Sequence, residues 1–267
     1  MFGTTAEAIP STIPPILSTA AGMKLLRKFA DNTKAGSLAN VLRRERFSFF
    51  CRLLESVPRP VRILDVGGTE NFWEQMGFLN PGPASPVSAA QDLSIVLLNI
   101  TAPDVNSRLV TSVAGDGCSM PQYGDREFDI VFSNSVIEHV PNLADQLRMA
   151  AEIRRVGKRY FVQTPNRYFP IEPHFLFPGF QFLPVSARAA LLQRFDLGWY
   201  SRTPDRKTAR ELVESIRLLN ESELRRLFPG AGIYNERFKG LTKSLIAYDG
   251  FPALPKRDIG PELRTNI

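Results

Sequence analysis

The chain has 267 residues, of which 43% are hydrophobic and 22% charged, with a net charge of +6 and a pI of about 9.5. This is globular composition with enough chain for a large core. The only cysteines, Cys51 and Cys118, lie far apart, which argues against a disulfide framework and a zinc site. The N-terminus lacks signal-peptide and transmembrane patterns, so we expect a cytoplasmic protein without a membrane span. Basic residues occur in short groups near acids, which favours solvated helix faces over a nucleic-acid patch.

The first part of the chain predicts helices followed by alternating strands and helices. Apolar spacing typical of helices covers 16–30 and 37–56, and Pro58 and Pro60 end the second helix. Short apolar or β-branched runs predict strands over 61–66, 93–100, 107–115, 128–134 and 158–165. Further helical patterns cover 70–78 and 141–156, and a turn-rich surface insertion covers 80–91. This alternation predicts a doubly wound, mostly parallel α/β sheet.

The alternation stops after residue 165. Residues 166–205 are rich in Pro and Phe, a helix is predicted over 208–228, and strands over 232–240 and 241–250. The polar tail begins at 251. We therefore predict an N-terminal helical extension, a main domain with a Phe/Pro-rich lid insertion after the fifth strand, and a tail, with bounds at 1–57, 58–250 (insertion 166–207) and 251–267.

The stretch VRILDVGGTENFW (61–73) ends a strand at an acid and turns at once. Gly67 and Gly68 allow a tight turn and close approach of the backbone to a ligand. Asp65 suits a ligand with positive charge or hydroxyls and does not suit a pyrophosphate. The dinucleotide pattern G-x-G-x-x-G fails because Thr69 and Phe72 replace its later glycines, which disfavours NAD and FAD. A βα turn without a ligand is the alternative.

Polar groups also follow the next three predicted strands. Asn99 ends the second strand, Asp116 lies in a glycine-flanked turn after the third, and Ser133 and Asn134 end the fourth. In open α/β sheets, ligands bind beyond the carboxyl ends of the strands. An amide there can contact a ribose, and a carboxylate can accept from an adenine amino group. Four such strand ends together favour a cofactor over turn chemistry.

In this order, ILDVGGT, LLNI, GDGCSMP and FDIVFSNSVIEHV resemble the class I S-adenosylmethionine-dependent methyltransferases, in the branch of ubiquinone/menaquinone and small-molecule methyltransferases. TPNRYFPIEPH and ERFKGLTKSLIAY resemble a bacterial group within that branch. The resemblance covers about residues 60–250. It implies S-adenosylmethionine as cofactor and a Rossmann-like sheet of seven strands with the last strand antiparallel.

The resemblance also implies which residues bind the cofactor. By position they are Asp65, Gly67, Gly68, Asn99, Asp116, Gly117, Cys118, Ser133 and Asn134. The first three would border the methionine part, and the asparagine that follows would face the ribose, where the family more often has an acid. Asp116, Gly117 and Cys118 would bind the adenine edge, and Ser133 and Asn134 would lie near the methionine ammonium and the methyl group. Thr69 departs from the family by replacing its usual third glycine.

The two histidines are candidate bases for methyl transfer. His139 follows the fourth strand, and His174 lies beside Glu172 in the Phe-rich segment. An oxygen or nitrogen acceptor needs a group that takes its proton. The alternatives are that His139 caps a helix or satisfies a loop carbonyl, and that His174 and Glu172 form a structural pair. No metal ligand is predicted.

The segment over 167–184 bears on the acceptor. An apolar lid there would suit an aromatic or lipid-like acceptor and exclude water, or its phenylalanines could pack a helical subdomain onto the sheet. SNSV stands where base-methylating enzymes carry N/D-P-P-Y/F/W, which disfavours a nucleic-acid acceptor. We predict methyl transfer to a small, partly apolar acceptor, on oxygen first. The alternatives are a non-catalytic S-adenosylmethionine-binding protein, an RNA methyltransferase and an NAD-dependent oxidoreductase.

Overall fold

The computed structural model describes residues 38–79 and 92–252. The helices are α1 (Leu38–Glu55), α2 (Glu70–Gln75), α3 (Leu143–Val156), α4 (Val185–Leu192), α5 (Arg206–Glu214) and α6 (Glu221–Leu227), with 3-10 turns at Ile137–His139 and Phe180–Phe182. The strands are β1 (Val61–Val66), β2 (Leu93–Asn99), β3 (Val110–Ala114), β4 (Ile130–Asn134), β5 (Tyr160–Pro165), β6 (Ile171–Glu172), β7 (Phe177–Pro178), β8 (Gly232–Phe238) and β9 (Leu241–Asp249).

Seven strands form one sheet in the order β3-β2-β1-β4-β5-β9-β8. β9 pairs antiparallel with both of its neighbours, and the other pairs are parallel. The predicted mostly parallel sheet with its last strand antiparallel is therefore confirmed. The strand order reverses between β1 and β4, which is the position where open α/β sheets bind ligands.

One face of the sheet is covered by α1, whose apolar residues recur at helical spacing. Phe47 and Phe50 from this helix contact Phe132 of β4, with ring centroids 6.2 and 4.8 Å apart. Trp73 of α2 and Phe161 of β5 belong to the same cluster of buried rings. Rings of this size dominate the burial energy of a core. The cluster therefore anchors α1 and α2 beneath the carboxyl ends of β1 and β4.

The other face is covered by α3 and α6. Ile153 of α3 and Leu224 of α6 are fully buried there with Leu64 and Val131 of the central strands. Asn142 begins α3 by accepting a hydrogen bond from the backbone N–H of Asp145 at 2.9 Å, a capping arrangement that satisfies an unpaired donor of the first turn. The two apolar faces explain why the central strands read as continuous apolar runs.

The single helix predicted over 208–228 is wrong. The structure has two helices there, α5 and α6, separated by residues 215–220. Asn220 accepts from the backbone N–H of Glu223, whose side chain accepts from the backbone of Asn220. This capping box starts a new helix and is readable in the sequence as N-E-S-E.

The chain divides into two compact units. Pro170–Val213 belongs to the first, with residues 38–41 of α1, and Leu42–Phe169 belongs to the second with the chain from Glu214 onward. Within Pro170–Val213, Phe175 stacks on Phe180 and Tyr200 with centroids 4.3 and 4.7 Å apart. These rings give that unit an aromatic core of its own. The domain bounds at 57, 166–207 and 250, and the role of the insertion as a lid, stay predictions.

Some predictions lie outside the described residues: the helix over 16–30, the surface insertion over 80–91 and most of the tail. Across 38–79 and 92–252, none of the helices combines the length and the apolar character that crossing a bilayer requires. The cytoplasmic location stays a prediction.

Candidate active site

The loop after β1 needs glycine at its first turn. Gly67 has a φ of +79°, and a Cβ there would lie 2.6 Å from both methyl groups of Val136. Its N–H donates to Leu98 O at 2.8 Å, which ties the loop to the end of β2. Thr69 stands where the family that this loop resembles has a third glycine. The reason is structural, because Thr69 is the N-cap of α2 and accepts from Phe72 N at 3.3 Å. The loop thus combines one obligatory glycine with a helix start.

Asp65 is only 1% exposed and lies under this loop. The indole N–H of Trp73 donates to its Oδ2 at 2.7 Å, and Oδ1 has no hydrogen-bond partner among the described residues. A Cβ on Gly68 would lie 1.6 Å from Oδ2, so the carboxyl group rests directly against the Gly68 backbone. Burial raises the pKa of Asp65 to about 7, and the Trp73 hydrogen bond acts in the opposite direction.

Asn99 ends β2 beside the same loop. Its Nδ2 donates to Gly68 O at 3.0 Å, and its backbone carbonyl accepts from Gly115 N at 2.8 Å. The next residue, Ile100, is 77% exposed. Asn99 therefore connects the first glycine loop to the turn after β3 and leaves its amide oxygen as an acceptor.

The turn after β3 contains Asp116, Gly117 and Cys118. Asp116 is exposed, and its Oδ1 accepts from Cys118 N at 2.8 Å, so its carboxylate has one further oxygen for a ligand. A Cβ on Gly117 would lie 2.8 Å from Cγ1 of Val66, which explains the glycine. Burial, and then the charge of Asp116, raises the pKa of the Cys118 thiol to about 11, so this cysteine is not a nucleophile at neutral pH.

Two polar side chains lie at the end of β4: the hydroxyl of Ser133, which is already hydrogen-bonded within the protein, and the half-buried amide of Asn134. Ser133 is fully buried, and its hydroxyl donates to Val66 O at 3.1 Å. Asn134 follows at the strand end and is half-buried. Ser135 adopts a φ of +57°, and its hydroxyl and N–H both contact Gln163, at 2.8 and 3.0 Å. These bonds fix the backbone where the chain leaves β4 beside Gly67.

His139 is exposed at the end of the 3-10 turn after β4, and its N–H donates to Val136 O at 2.8 Å. Its neighbour Glu138 is fully buried and accepts from the hydroxyl of Thr164 at 3.0 Å. The turn is therefore anchored by a buried carboxyl group, and a ring nitrogen of His139 lies within 4.8 Å of an oxygen of that group.

His174 lies in the unit formed by Pro170–Val213 and is held by Glu172. The imidazole Nδ1 lies 2.7 Å from Glu172 Oε1, and Oε2 accepts from the backbone N–H groups of His174 and Phe175 at 2.7 and 2.6 Å. Glu172 is buried, which makes the pairing rigid. A carboxylate that fixes one imidazole nitrogen sets the tautomer and orients the other nitrogen.

The structure joins the four predicted strand ends into one hydrogen-bonded edge. Asn99 links the loop after β1 to the turn after β3, and Ser133 links the end of β4 to Val66. His139 belongs to the unit that contains Leu42–Phe169, and His174 belongs to the unit that contains Pro170–Val213. A cavity of about 370 Å³ at the opposite edge of the sheet, lined by residues 60–62, 92–94 and 129, contains none of the predicted site residues.

Three residues of this edge were not predicted: Trp73, Ile100 and Val136. Trp73 could have been noticed because it is a tryptophan in the predicted helix directly after the loop, eight residues after Asp65. Ile100 could have been noticed as an apolar residue directly after Asn99. Val136 carries no sequence signal, because its contact with Gly67 depends on the pairing of β1 with β4.

Comparison with known proteins gives a family match for part of the chain. Residues 87–160 match the family model described as a methyltransferase domain. Two uncharacterised proteins of Mycobacterium tuberculosis, from strains CDC 1551 and H37Rv, are 38% identical to this chain over 56 residues. That alignment covers 21% of this chain, and the chain spans about a fifth (19%) of the length of those curated relatives.

Solved structures with a similar fold include an S-adenosylmethionine-dependent methyltransferase from Aquifex aeolicus, at 12% identity and a TM-score of 0.45, covering 83% of this chain and 96% of that one. Another is an S-adenosylmethionine-dependent methyltransferase from Methanosarcina mazei, at 13% identity and a TM-score of 0.43, covering 73% and 94%. Residues 87–160, which match the methyltransferase domain, contain β2, β3, β4 and α3 of the seven-stranded sheet.

Proposed function

We propose that this protein transfers a methyl group from S-adenosylmethionine to an oxygen atom of a small, partly apolar acceptor. One observation carries the proposal: the four strand ends meet in a single hydrogen-bonded edge at the point where the strand order reverses. Polar groups at such an edge are placed to contact a ligand along its whole length.

The residues at this edge fit the chemistry of the cofactor. The backbone at Gly67 and Gly68 has no side chain in the way, and the nearby Oδ1 of Asp65 is a buried acceptor without a protein partner among the described residues. These groups would hold the positively charged methionine end. A buried acceptor of this kind costs free energy unless a ligand or water satisfies it.

The other half of the cofactor would lie along the ends of β2 and β3. The amide oxygen of Asn99 would accept from a ribose hydroxyl, and the outer oxygen of Asp116 would accept from the adenine amino group. The exposed side chain of Ile100 offers an apolar surface for the purine ring. Gly117 and Cys118 would border that ring through their backbone. Asn134 would face the methionine end from β4.

When bound, the cofactor supplies a methyl group on a sulfonium, which is a good leaving group. The chain must therefore position the acceptor and take its proton. With Nδ1–H donated to Glu172 Oε1, the basic atom of His174 is Nε2, which would take the proton from the acceptor hydroxyl. In many enzymes a carboxylate orients the base that activates a nucleophile in the same way. His139, exposed after β4, is the second candidate base.

The aromatic side chains of Pro170–Val213 support a partly apolar acceptor. Phe175, Phe180 and Tyr200 are used for packing within this unit. Trp199 and Phe182, however, are 50% and 53% exposed. Aromatic rings offer large apolar contact area to a ligand. We propose that these two rings contact the acceptor.

The test is calorimetry with S-adenosylmethionine, followed by mass spectrometry of metabolite extracts incubated with the protein and isotopically labelled cofactor. We expect binding, and transfer of the labelled methyl group to a small molecule. Asp116→Ala should weaken binding about tenfold, as expected for a lost hydrogen bond, while Asp125→Ala, in an exposed loop, should not. Absence of binding at millimolar cofactor would overturn the proposal.

The same experiment separates the alternatives. A non-catalytic binding protein would bind the cofactor and produce no S-adenosylhomocysteine with any extract. An RNA methyltransferase, which the net charge of +6 keeps under consideration, would label the RNA fraction instead of the small molecules.

A further inference from the structure

Trp73 is a fully buried residue whose single polar atom is aimed at Asp65. Its indole N–H donates to Asp65 Oδ2 at 2.7 Å. The ring packs against Phe78 and Phe132, each with a centroid distance of 5.2 Å. Packing would be served equally well by phenylalanine. The nitrogen is therefore the feature that needs an explanation.

The carboxyl group held by Trp73 is part of the cofactor loop. A Cβ on Gly68 would lie 1.6 Å from Oδ2 and 2.5 Å from Oδ1, so the carboxyl group supports the loop from below. From the other side, Asn99 Nδ2 binds Gly68 O at 3.0 Å. The position of Gly68 is thus set between an amide and a carboxyl group, and only the carboxyl group depends on Trp73.

Among residues 38–79 and 92–252, no charged side chain shifts the pKa of Asp65. The strands that pair with β1 place Leu97 and Phe132 beside it, and α1 contributes Phe47 and Phe50 against Trp73. Burial is the main cause that raises the pKa of Asp65, the Trp73 hydrogen bond is the cause that lowers it, and no charged side chain of the described residues shifts it. The indole is therefore the main influence that favours the ionised form.

We propose that Trp73 is a positioning residue for the cofactor: its indole N–H holds the Asp65 carboxyl group beneath Gly68. The inference rests on the cofactor site proposed above. It adds that a residue outside the ligand's reach controls how strongly the site attracts a positively charged methionine end.

The consequence is a pH-dependent affinity. Because the pKa of Asp65 is about 7, the fraction of ionised carboxylate rises as pH increases through that value. A cation binds the ionised form more strongly, so cofactor affinity rises over the same range. Removing the indole N–H raises the pKa further and moves the rise in affinity to higher pH.

The test is calorimetric binding of S-adenosylmethionine between pH 5.5 and pH 8.5. We expect Trp73→Phe to weaken binding about tenfold at pH 7, as for a lost hydrogen bond to a charged group, and to move the midpoint upward by about one pH unit. The matched control is Phe78→Leu, which disturbs the same ring cluster without touching the hydrogen bond. It should lower stability and leave the midpoint unchanged. A wild-type midpoint in Trp73→Phe would overturn the proposal.

A second measurement needs no cofactor and no folded Trp73→Phe. The indole N–H resonance of Trp73, assigned by its persistence in Trp199→Phe, should titrate near pH 7 in the free protein and lose that titration in Asp65→Asn. An unchanged titration in Asp65→Asn would overturn the inference. If the resonance titrates as expected while the wild-type protein binds no S-adenosylmethionine, the cofactor site fails and the Trp73–Asp65 coupling stands.

Discussion

Two buried carboxyl groups of this protein are satisfied in different ways. Glu172, in Pro170–Val213, accepts from two backbone N–H groups and contacts the imidazole of His174. Asp65, under the loop after β1, accepts from Trp73 and keeps Oδ1 without a partner among the described residues. A fully satisfied buried carboxylate fixes local structure, whereas a partly satisfied one carries a cost that a ligand can remove. We therefore regard Glu172 as an orienting group and Asp65 as a group held for the cofactor.

The contrast between these two carboxyl groups is tested most strongly by the pH dependence of the free energy of unfolding. The pKa of Asp65 rises from 3.8 to about 7, so between these values the folded protein retains a proton that the unfolded chain has lost. Stability therefore falls as pH rises through this window, by on the order of 4 kcal/mol. Asp65→Asn should flatten that slope in urea unfolding at pH 4 to pH 8. A slope unchanged by the substitution would contradict the burial of an unsatisfied acid.

The next effect concerns the glycine beside that carboxyl group. Gly68→Ala places a methyl group where Asp65 Oδ2 lies, so we expect a loss of about 3 kcal/mol in stability and no measurable cofactor binding. Gly179→Ala in the other unit is the comparison, because nothing lies within 4 Å of its added Cβ. Its cost is only that of a positive φ, about 1 kcal/mol. If thermal unfolding and calorimetry showed equal losses of stability and of cofactor affinity in Gly68→Ala and Gly179→Ala, the two regions would not differ in this respect.

The third effect separates chemistry from binding. His174→Ala should lower kcat about a hundredfold through loss of the base and leave the Kd for S-adenosylmethionine unchanged. His139→Ala gives the same pattern if that histidine is the base. Turnover assays with the acceptor found by mass spectrometry, together with calorimetry, check both. A parallel loss of affinity and turnover would mean that the histidine is structural.

The smallest effect concerns the exposed apolar residue after Asn99. Ile100→Ser should weaken S-adenosylmethionine about fivefold, because it removes apolar surface from the adenine side, with little change in melting temperature since Ile100 is 77% exposed. Leu241→Ser, at a 51% exposed residue of the β8–β9 hairpin, is the matched control. Similar affinities for both variants would exclude Ile100 from the cofactor surface.

Several features of the fold could be predicted because they depend on local order along the chain. The apolar runs ending at Asp65, Asn99 and Asn134 predicted strands that the structure places at 61–66, 93–99 and 130–134. The break between α5 and α6 has a sequence signal, since Asn220 and Glu223 have capping-box spacing, but the helical pattern over 208–228 continues across that signal. Where one sequence signal overlaps another, the local hydrogen bond decides the boundary.

The sequence by itself determined the class of sheet and the polar groups at its strand ends, because periodicity and turn residues act over a few positions. Only the tertiary structure decided which of those groups are available. Ser133 Oγ is committed to Val66 O, one oxygen of Asp65 is committed to Trp73, and Gly67 is required by Val136, which β4 brings alongside. Some of these pairings join residues that are far apart in the chain, and the pairing of Asp65 with Trp73 depends on the burial of both side chains. They follow from strand order and packing, which no local pattern encodes.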